Sequence, residues 1–393
     1  MVFPERFSNL TEHVWPRLRG LLDPHVGGGD VLNLTIGEPR HAWPPFVTHL
    51  VASHAEGFGK YPPNDGTPEL LGSISDWFDR RYGVRLAPDR QIMALNGTRE
   101  GLYNAAMALC PETKSRRKPV VLVPNPFYQV YAVAAMSVGA DPVFMPCTRE
   151  TGFLPDFTRL DPDILARTAI AYICSPSNPQ GAVATRDYWR DLLELAEKHD
   201  FLIFADECYS EIYRDNPPVG ALEAAADFGA DPERVLVFHS LSKRSNLPGL
   251  RSGFVAGGPR SIARIKQLRA YAGAPLPLPL MRAAEAVWAD ERHVDESRAR
   301  YVAKYDIANE VFEGVAGCAA PEAGFFLWLP VEDGETAALK LWTSTGIRVL
   351  PGAYLAADTG GENPGKGFIR VAMVAEEDDL RRGLARLRDC IFD

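Results

Sequence analysis

The chain has 393 residues, of which 46% are hydrophobic and 24% charged, and its formal net charge is −9 at pH 7. This composition is that of a globular protein long enough for two or three domains. The acidic balance excludes the basic face that binds nucleic acid, and no apolar run reaches the length of about 20 residues that a membrane span needs. Because no signal-peptide pattern is visible either, we expect a soluble, cytoplasmic protein.

The N-terminal part of the chain has the apolar periodicity of helices. This spacing predicts helices over 9–22, 44–55 and 69–82, and a short apolar run over 31–36 lies between the first two. Beyond residue 82, helical segments alternate with short runs rich in Val, Ile and Phe, at 120–123, 142–145, 170–174, 201–205, 235–238 and 254–256. The clearest helix between them covers 187–199. This alternation predicts an α/β fold with a mainly parallel sheet.

Polar and aromatic residues directly follow four of the predicted strands. Tyr128 follows the first run, Asn178 the third, Asp206 and Tyr209 the fourth, and Lys243 the fifth. In sheets of this kind, ligands bind beyond the carboxyl ends of the strands. We therefore expect these side chains to meet at one edge of the sheet.

Lys243 is the candidate reactive residue, and its partners indicate a cofactor. A lysine that forms an imine must lose its proton, so its ordinary pKa of about 10.4 has to fall. Pyridoxal phosphate accounts for the rest of the set, because its ring nitrogen needs a buried carboxylate, which Asp206 can supply. Tyr209 and Asn178 can donate to the phenolic oxygen, and Tyr128 can stack on the ring.

The phosphate group of such a cofactor needs several hydrogen-bond donors. Candidates occur in two stretches of the chain, the loop around Lys243 and the start of a helix that runs to Leu109, whose backbone N–H groups favour an anion. The predicted phosphate-binding residues are Gly97, Thr98, Arg99, Ser240, Ser242 and Arg251. The six cysteines show no metal-ligand spacing, so we expect no metal site.

In order and spacing, these motifs resemble the class I/II aminotransferases, the aspartate-aminotransferase-like group of pyridoxal-phosphate enzymes with fold type I. The motifs that carry the resemblance are Ile36-Gly-Glu-Pro39, Tyr61-Pro-Pro-Asn-Asp-Gly-Thr-Pro-Glu-Leu70, Asn96-Gly-Thr98, Pro126-Phe-Tyr128, Ser175-Pro-Ser-Asn-Pro-Gln-Gly181, Asp206-Glu-Cys-Tyr209, Ser240-Leu-Ser-Lys243, Gly249-Leu-Arg-Ser-Gly253 and Phe368-Ile-Arg-Val371. The resemblance implies a large domain with a mainly parallel, seven-stranded sheet and a smaller α+β domain.

We place the large cofactor-binding domain at 44–284 and the small domain at 1–43 and 285–393. In the small domain, the runs at 325–329, 347–350 and 368–371 are expected to form strands of one separate sheet. A boundary helix is predicted from 279 to 300.

The resemblance also implies a role for each site residue. Lys243, Asp206 and Tyr209 are the expected catalytic residues, and Lys243 would bind the cofactor covalently. Arg370 would hold the substrate α-carboxylate, with Gly37 and Asn178 beside it. The resemblance further implies a homodimer with shared active sites, in which Tyr61 reaches the cofactor phosphate of the neighbouring subunit.

Within that family, the stretches at 61–70, 126–131, 238–254 and 350–355 are similar to those of the N-succinyldiaminopimelate aminotransferases of lysine and diaminopimelate biosynthesis. This similarity implies amino transfer between glutamate/2-oxoglutarate and N-succinyl-L-2-amino-6-oxopimelate. Substrates with several carboxylates need a locally basic site, for which Arg40, His41 and Arg99 are candidates.

Three alternatives remain open at this point. One is an aminotransferase of the same fold for aspartate, alanine or aromatic amino acids, and a second is a lyase or decarboxylase. The third is a non-enzymatic regulatory module that binds pyridoxal phosphate, but the acidic charge and the early start of the resemblance disfavour an added DNA-binding segment.

Overall fold

A computed structural model describes residues 5–8, 10 and 12–393. The α-helices, in chain order, are α1 (Val14–Leu22), α2 (Phe46–Ser53), α3 (Pro68–Tyr82), α4 (Pro88–Gln91), α5 (Thr98–Leu109), α6 (Val130–Ser137), α7 (Pro162–Arg167), α8 (Arg186–His199), α9 (Ala221–Phe228), α10 (Leu241–Arg244), α11 (Pro259–Ala272), α12 (Leu278–Ala289), α13 (Arg292–Val311), α14 (Gly334–Thr345) and α15 (Glu377–Ile391). The strands are β1 (Leu32–Asn33), β2 (Ile92–Leu95), β3 (Val120–Asn125), β4 (Asp141–Pro146), β5 (Thr168–Cys174), β6 (Leu202–Asp206), β7 (Val235–Ser240), β8 (Gly253–Gly257), β9 (Phe326–Pro330), β10 (Ile347–Arg348), β11 (Leu350–Pro351) and β12 (Phe368–Ala372).

The main sheet has seven strands in the order β2-β8-β7-β6-β5-β3-β4. All strand pairs from β7 to β4 are parallel, whereas β8 is antiparallel to both β7 and β2. The mainly parallel sheet is thus confirmed. The six predicted strands are present, but β2 was missed because Ile92-Met-Ala-Leu95 contains a single β-branched residue and reads equally well as the end of a helix.

Helices cover the main sheet on both faces. One face packs against a cluster that includes Trp77 of α3, Trp189 of α8 and Trp288 of α12. The other face packs against Tyr131 of α6 and Ile262 of α11. With both faces buried, the central strands are continuous apolar runs, as is typical of parallel sheets.

The C-terminal sheets differ in one respect from the expectation. The three-stranded sheet has the order β11-β12-β9, but the predicted strand at 347–350 is divided between two sheets. Ile347 pairs with Leu32 in a separate parallel ladder, while Leu350 pairs with Arg370. Ile347 and Val349 in the first half and Leu350 in the second are all buried, so the apolar pattern of the run could not indicate the division. The placement of the domain boundaries at 44 and 284 stays a prediction.

The predicted helices are present with two corrections. The first helix begins at Val14, and Asn9, where we expected its start, lies outside the described residues. The boundary helix predicted from 279 to 300 is two helices, α12 and α13, separated at Asp290 and Glu291. The Asp290 carboxylate accepts a hydrogen bond from the His293 backbone N–H at 3.2 Å and so supports the start of a new helix.

In the part of the chain that the structure describes, no helix combines the length and apolar character that crossing a membrane requires.

Candidate active site

A cavity of about 490 Å³ lies at the carboxyl ends of β5, β6 and β7. Most of the residues predicted for the site line this cavity, as the parallel-sheet argument leads one to expect. They are Gly37, Thr98, Arg99, Tyr128, Asn178, Asp206, Tyr209, Ser240, Ser242, Lys243, Arg251 and Arg370.

Lys243 is presented to the cavity by α10, which begins directly after β7. Ser240 is the N-cap of this short helix, and its Oγ accepts a hydrogen bond from the Ser242 backbone N–H at 3.1 Å. The same Oγ lies 2.8 Å from Ser242 Oγ and 3.1 Å from the Ser252 carbonyl oxygen. The Ser240 hydroxyl therefore contributes to the turn that orients Lys243.

The surroundings of Lys243 favour the free amine. Its Nζ donates a hydrogen bond to the Gly37 carbonyl oxygen and lies 5.5 Å from the centre of the Phe325 ring. Burial lowers the pKa of Lys243 to about 8, and the nearby guanidinium group of Arg370 acts in the same direction. Deprotonation of the amine near neutral pH is what imine chemistry requires.

Asp206 is a buried carboxylate at the end of β6. One of its oxygens accepts a hydrogen bond from the Tyr131 hydroxyl at 2.7 Å, and the other accepts one from the Cys208 backbone N–H at 3.3 Å. Burial raises the pKa of Asp206, while these two hydrogen bonds oppose the rise. Asp206 is thus held in one orientation, with its carboxylate at the cavity.

Tyr131 lines the cavity, and no role was predicted for it from the sequence. It lies within an apolar helix, where a tyrosine reads as an ordinary core residue, and its ring stacks on Tyr172 at 4.6 Å. The available signal was its spacing of three residues from Tyr128, which places both rings on one side of the chain entering α6. The two rings meet edge to face, with their centres 5.8 Å apart.

Arg370 is a buried guanidinium group that has only neutral partners among the described residues. It donates to Asn178 Oδ1 at 2.9 Å and to the Thr35 carbonyl oxygen at 2.8 Å, and it lies 4.1 Å above the Phe326 ring. Its Nε has no partner in the described part of the chain. Burial lowers the pKa of Arg370 to about 10. A buried cation without an anionic partner is costly, and a carboxylate ligand would relieve that cost.

A second group of hydrogen-bond donors lies around the start of α5. Arg251 donates to the Pro248 and Asn96 carbonyl oxygens at 2.9 and 3.0 Å. Gly97 has a φ of +82° and lies so close that a Cβ at this position would be 2.2 Å from Arg251 Nη2. Gly97 therefore allows the guanidinium group to lie against the turn, although it does not itself line the cavity. Thr98 is the first residue of α5, with its Oγ1 3.1 Å from Cys208 Sγ.

Of the three residues considered for distal carboxylates, only Arg99 faces the cavity. Its Nε donates to the Tyr128 hydroxyl oxygen at 2.6 Å, and within the described residues it forms no ion pair. Arg40 instead donates to the Asn33 carbonyl oxygen, and His41 is buried against Lys304. Arg40 and His41 were expected at the cavity because they are close to Gly37 in the sequence, but the backbone turns both of them away from it.

Tyr61 lies outside this cavity, and its side chain is fully exposed. Its predicted contact is with the cofactor of a neighbouring subunit, so that role stays a prediction.

The charge lining the cavity differs from that of the whole chain. Four basic side chains and two acidic ones line it, although the chain as a whole has a net charge of −9. The basic residues are Arg99, Lys243, Arg251 and Arg370, and the acidic ones are Glu38 and Asp206. The site is therefore locally basic, as binding of anionic substrates requires. His13 and Trp15, from the start of α1, also line the cavity and were not predicted.

Comparisons with known proteins agree with this geometry. The family model for aminotransferase class I and II matches residues 29–387. An LL-diaminopimelate aminotransferase from Dehalococcoides mccartyi is 31% identical over 399 residues, covering 98% of each chain. The crystal structure of an aminotransferase from Neisseria meningitidis Z2491 has 35% identity and a TM-score of 0.94, covering 98% of this chain and 99% of that one.

The aminotransferase AspB from Helicobacter pylori 26695 is also similar, with 33% identity, a TM-score of 0.90 and 99% of each chain covered. Together with the fold, these matches confirm the predicted family and its aspartate-aminotransferase-like architecture. The chain therefore belongs to the class I and II aminotransferases, which depend on pyridoxal phosphate.

Proposed function

We propose that this aminotransferase transfers an amino group between glutamate/2-oxoglutarate and N-succinyl-L-2-amino-6-oxopimelate, as a cytoplasmic homodimer with shared active sites. The observation that carries the proposal is a pair of guanidinium groups, those of Arg370 and Arg99, which line the cavity without an ion-pair partner in the described residues. Two such groups suit a substrate with an α-carboxylate and a distal carboxylate.

The residues of the cavity fit pyridoxal phosphate. Arg251, Thr98 and Ser242 with the start of α5 offer donors for the phosphate, and the missing Cβ of Gly97 leaves room for the Arg251 guanidinium group. Tyr128 and Asp206 line the same cavity and would hold the ring, Tyr128 by stacking and Asp206 through the ring nitrogen. When bound, this cofactor supplies an electron sink for the bond that breaks at the substrate Cα.

Each proposed catalytic residue has one task in the proton chemistry. The deprotonated Lys243 amine would take the proton from the substrate Cα and deliver it to C4′ of the cofactor, the carbon that keeps the amino nitrogen. Asp206, oriented by Tyr131, holds the proton on the ring nitrogen. Tyr209 and Asn178 donate to the phenolic oxygen, and Arg370 fixes the substrate carboxylate so that Cα faces Lys243.

A second candidate substrate is LL-diaminopimelate itself. The name of the Dehalococcoides mccartyi relative favours it, and the carboxylate of Glu38 in the cavity would suit a second ammonium group. Alanine and the aromatic amino acids are weaker candidates because they carry no second carboxylate for Arg99. Aspartate carries one, and the donor panel below separates it from the diaminopimelate substrates.

A panel of amino donors with 2-oxoglutarate tests the proposal. The kcat/KM for glutamate formation should be about 10-fold or more higher with N-succinyl-LL-diaminopimelate than with aspartate or alanine, because a hydrogen bond to a charged group contributes about 1.5–3 kcal/mol. A preference for LL-diaminopimelate would select the second candidate. Equal rates with aspartate would refute both diaminopimelate assignments.

The variant Arg99→Gln tests whether Arg99 binds the distal carboxylate of the substrate. We expect kcat/KM to fall about 10-fold for the succinylated donor and much less for alanine. The matched control is Arg264→Gln, since Arg264 is an arginine outside the cavity that contacts Gln267. An equal loss for all donors would instead assign Arg99 to cofactor binding.

A further inference from the structure

Residues 34–43, called the strap below, connect β1 to the loop before α2 without helix or strand. Ile36, Gly37 and Glu38 of the strap form one wall of the active-site cavity. Within the strap only Leu34 pairs with other backbone of the described residues, at the Arg348 carbonyl and the Ala372 N–H. The position of the rest of the strap therefore depends on side chains from elsewhere.

Four side chains from other parts of the chain bind the strap. They are Arg370 at the Thr35 carbonyl, Lys243 at the Gly37 carbonyl, Lys304 at the His41 ring and Asn246 at the Ala42 carbonyl. Arg370 and Lys243 are also the proposed ligand-binding residues, so their contacts with the strap compete with contacts to cofactor and substrate. Asn246 is at 3.4 Å, which is a weak hydrogen bond. The contact between Lys304 and His41 is therefore the strong anchor that ligand binding does not disturb.

The anchor is an unusual buried pair. Lys304 on α13 is 1% exposed and His41 is 4% exposed, with 2.7 Å between Lys304 Nζ and His41 Nε2. Burial lowers the pKa of His41 to about 3, and the charge of Lys304 acts in the same direction, so the neutral ring accepts the hydrogen bond. Lys304 forms no ion pair with any described residue. An apolar side chain would fill this position at lower cost if packing were its only purpose.

Continuous packing links the anchor to the catalytic lysine. The His41 ring lies 4.7 Å from the Tyr301 ring, and Tyr301 stacks on Phe325 at 5.5 Å. Phe325 in turn lies 5.5 Å from Lys243 Nζ. Gly37 closes the path, because a Cβ on it would be 3.1 Å from Phe325. A displacement of His41 would therefore also displace Gly37 and Lys243.

We propose that Lys304 and His41 are a positioning pair that fixes the strap beside Arg370 and so sets the affinity for the substrate α-carboxylate. The pair holds the strap in place when Lys243 and Arg370 turn to their ligands. This inference rests on the proposed role of Arg370, but the position of the strap can be measured without any substrate.

The first test is limited proteolysis of the holoenzyme with trypsin, read by mass spectrometry at the bond between Arg40 and His41. Arg40 is exposed, so cleavage reports opening of the strap. Lys304→Met should accelerate cleavage at this bond about 10-fold or more, because a lost hydrogen bond to a charged group raises the open population by that order. The control Arg298→Met removes an α13 contact with Glu211 that does not involve the strap, and should leave cleavage unchanged.

The second test is steady-state kinetics of the same variants. Lys304→Met should raise KM for the amino donor about 10-fold with a small change in kcat, whereas a purely structural defect would lower the active fraction and hence kcat alone. His41→Phe keeps an aromatic ring but lacks the acceptor, so it should raise KM to a similar extent. His41→Asn keeps an acceptor oxygen, so its rise in KM should be smaller. His41→Phe also serves if Lys304→Met does not fold.

Unchanged cleavage and unchanged KM in both variants would overturn the inference. Faster cleavage with an unchanged KM would also overturn it, since the strap would then move without affecting the substrate. Failure of the succinylated donor in the panel above would leave the cleavage result standing and would affect only the substrate assignment.

Discussion

The lowered pKa of Lys243 predicts how covalent binding of the cofactor depends on pH. Because burial lowers that pKa to about 8, the fraction of free amine rises with pH up to that value and is nearly complete above it. Covalent binding of pyridoxal phosphate by the apoprotein should therefore accelerate about 10-fold per pH unit below pH 8 and level off above it. The visible absorbance of the bound cofactor measures the rate. Arg370→Gln removes a nearby positive charge, so its midpoint should move to higher pH; a midpoint near 10 in the unmodified protein would contradict the burial argument.

The hydrogen bond from Tyr131 to Asp206 makes a second prediction. Removing it with Tyr131→Phe takes away an interaction that lowers the pKa of Asp206, so this pKa should rise and the carboxylate should become protonated at higher pH. The acid limb of the kcat/KM profile should shift upward by about one pH unit, because the hydrogen bond contributes about 1.5 kcal/mol to the charged form.

The control for this variant is Tyr172→Phe. Tyr172 stacks on Tyr131 but donates its own hydroxyl to the Leu102 carbonyl oxygen at 2.8 Å, away from Asp206. Its pH profile should match that of the unmodified protein. A shift of equal size in both variants would mean that packing of the two rings, rather than the hydrogen bond, controls Asp206.

At the level of residues, the sequence could predict side chains that leave a strand end directly. Asp206 and Asn178 are of this kind, since a short loop after a parallel strand leaves little choice of direction. His13 offered no sequence signal, and Tyr131 offered only its spacing from Tyr128, because each reaches the cavity through the packing of a helix against the rest of the chain. The direction of Arg40 depends in the same way on the path of the strap.

The element that carries Lys243 is held by contacts on the side away from the cavity. Arg244 donates to Glu291 at 2.6 Å and to the Val287 carbonyl at 3.0 Å, and Ser245 lies 2.8 Å from a nitrogen of the His293 ring. The stretch that follows Lys243 was one of those that suggested the substrate, yet these two side chains pack α10 against the junction of α12 and α13. An effect of this stretch on substrate preference would therefore act through the position of Lys243.

Arg244→Met should therefore lower stability more than it alters specificity. Arg244 is buried, and its loss would leave the Val287 and Asp290 carbonyls without this donor and the Glu291 carboxylate with only Arg80, at 3.6 Å, among the described residues. We therefore expect the free energy of unfolding to fall by about 2–3 kcal/mol. Denaturant unfolding of the holoenzyme measures this. The control is Arg80→Met, which removes a half-exposed partner of the same Glu291 at 3.6 Å and should cost less than about 1 kcal/mol. A ratio of donor preferences that changes with Arg244→Met would show that the motif also acts on the substrate.

At the level of elements, apolar periodicity identified several helices and most of the strands, but it did not predict where these elements end. The division of the predicted strand at 347–350 between β10 and β11 depends on which partner each half meets, Leu32 or Arg370. The break between α12 and α13 is likewise accompanied by a hydrogen bond from the His293 backbone N–H to the Asp290 carboxylate. Both features depend on contacts between residues far apart in the chain or on a single side chain. Hydrophobicity averaged over neighbouring residues does not detect either.

For the whole molecule, a mainly parallel sheet covered by helices was predictable because strands alternate with helices along the chain. The assembly was not, since a surface residue such as Tyr61 has the same sequence pattern whether water or another subunit covers it. Its full exposure, together with that of Tyr271, is compatible with a subunit interface. Shared active sites are therefore the part of the proposal that most needs a measurement of its own.

Mixing two inactive variants supplies that measurement. Lys243→Ala should abolish turnover, and Tyr61→Ala should reduce it strongly if the phosphate of each cofactor is bound from the neighbouring subunit. A dimer with one subunit of each kind then contains one site with an intact Lys243 and, from the other subunit, an intact Tyr61. After random exchange half of the dimers are of this type, so activity should recover to about a quarter of that of the unmodified enzyme. Recovery requires that each site uses residues of both chains, and a mixture no more active than the sum of its parents would show that Tyr61 serves its own subunit or none.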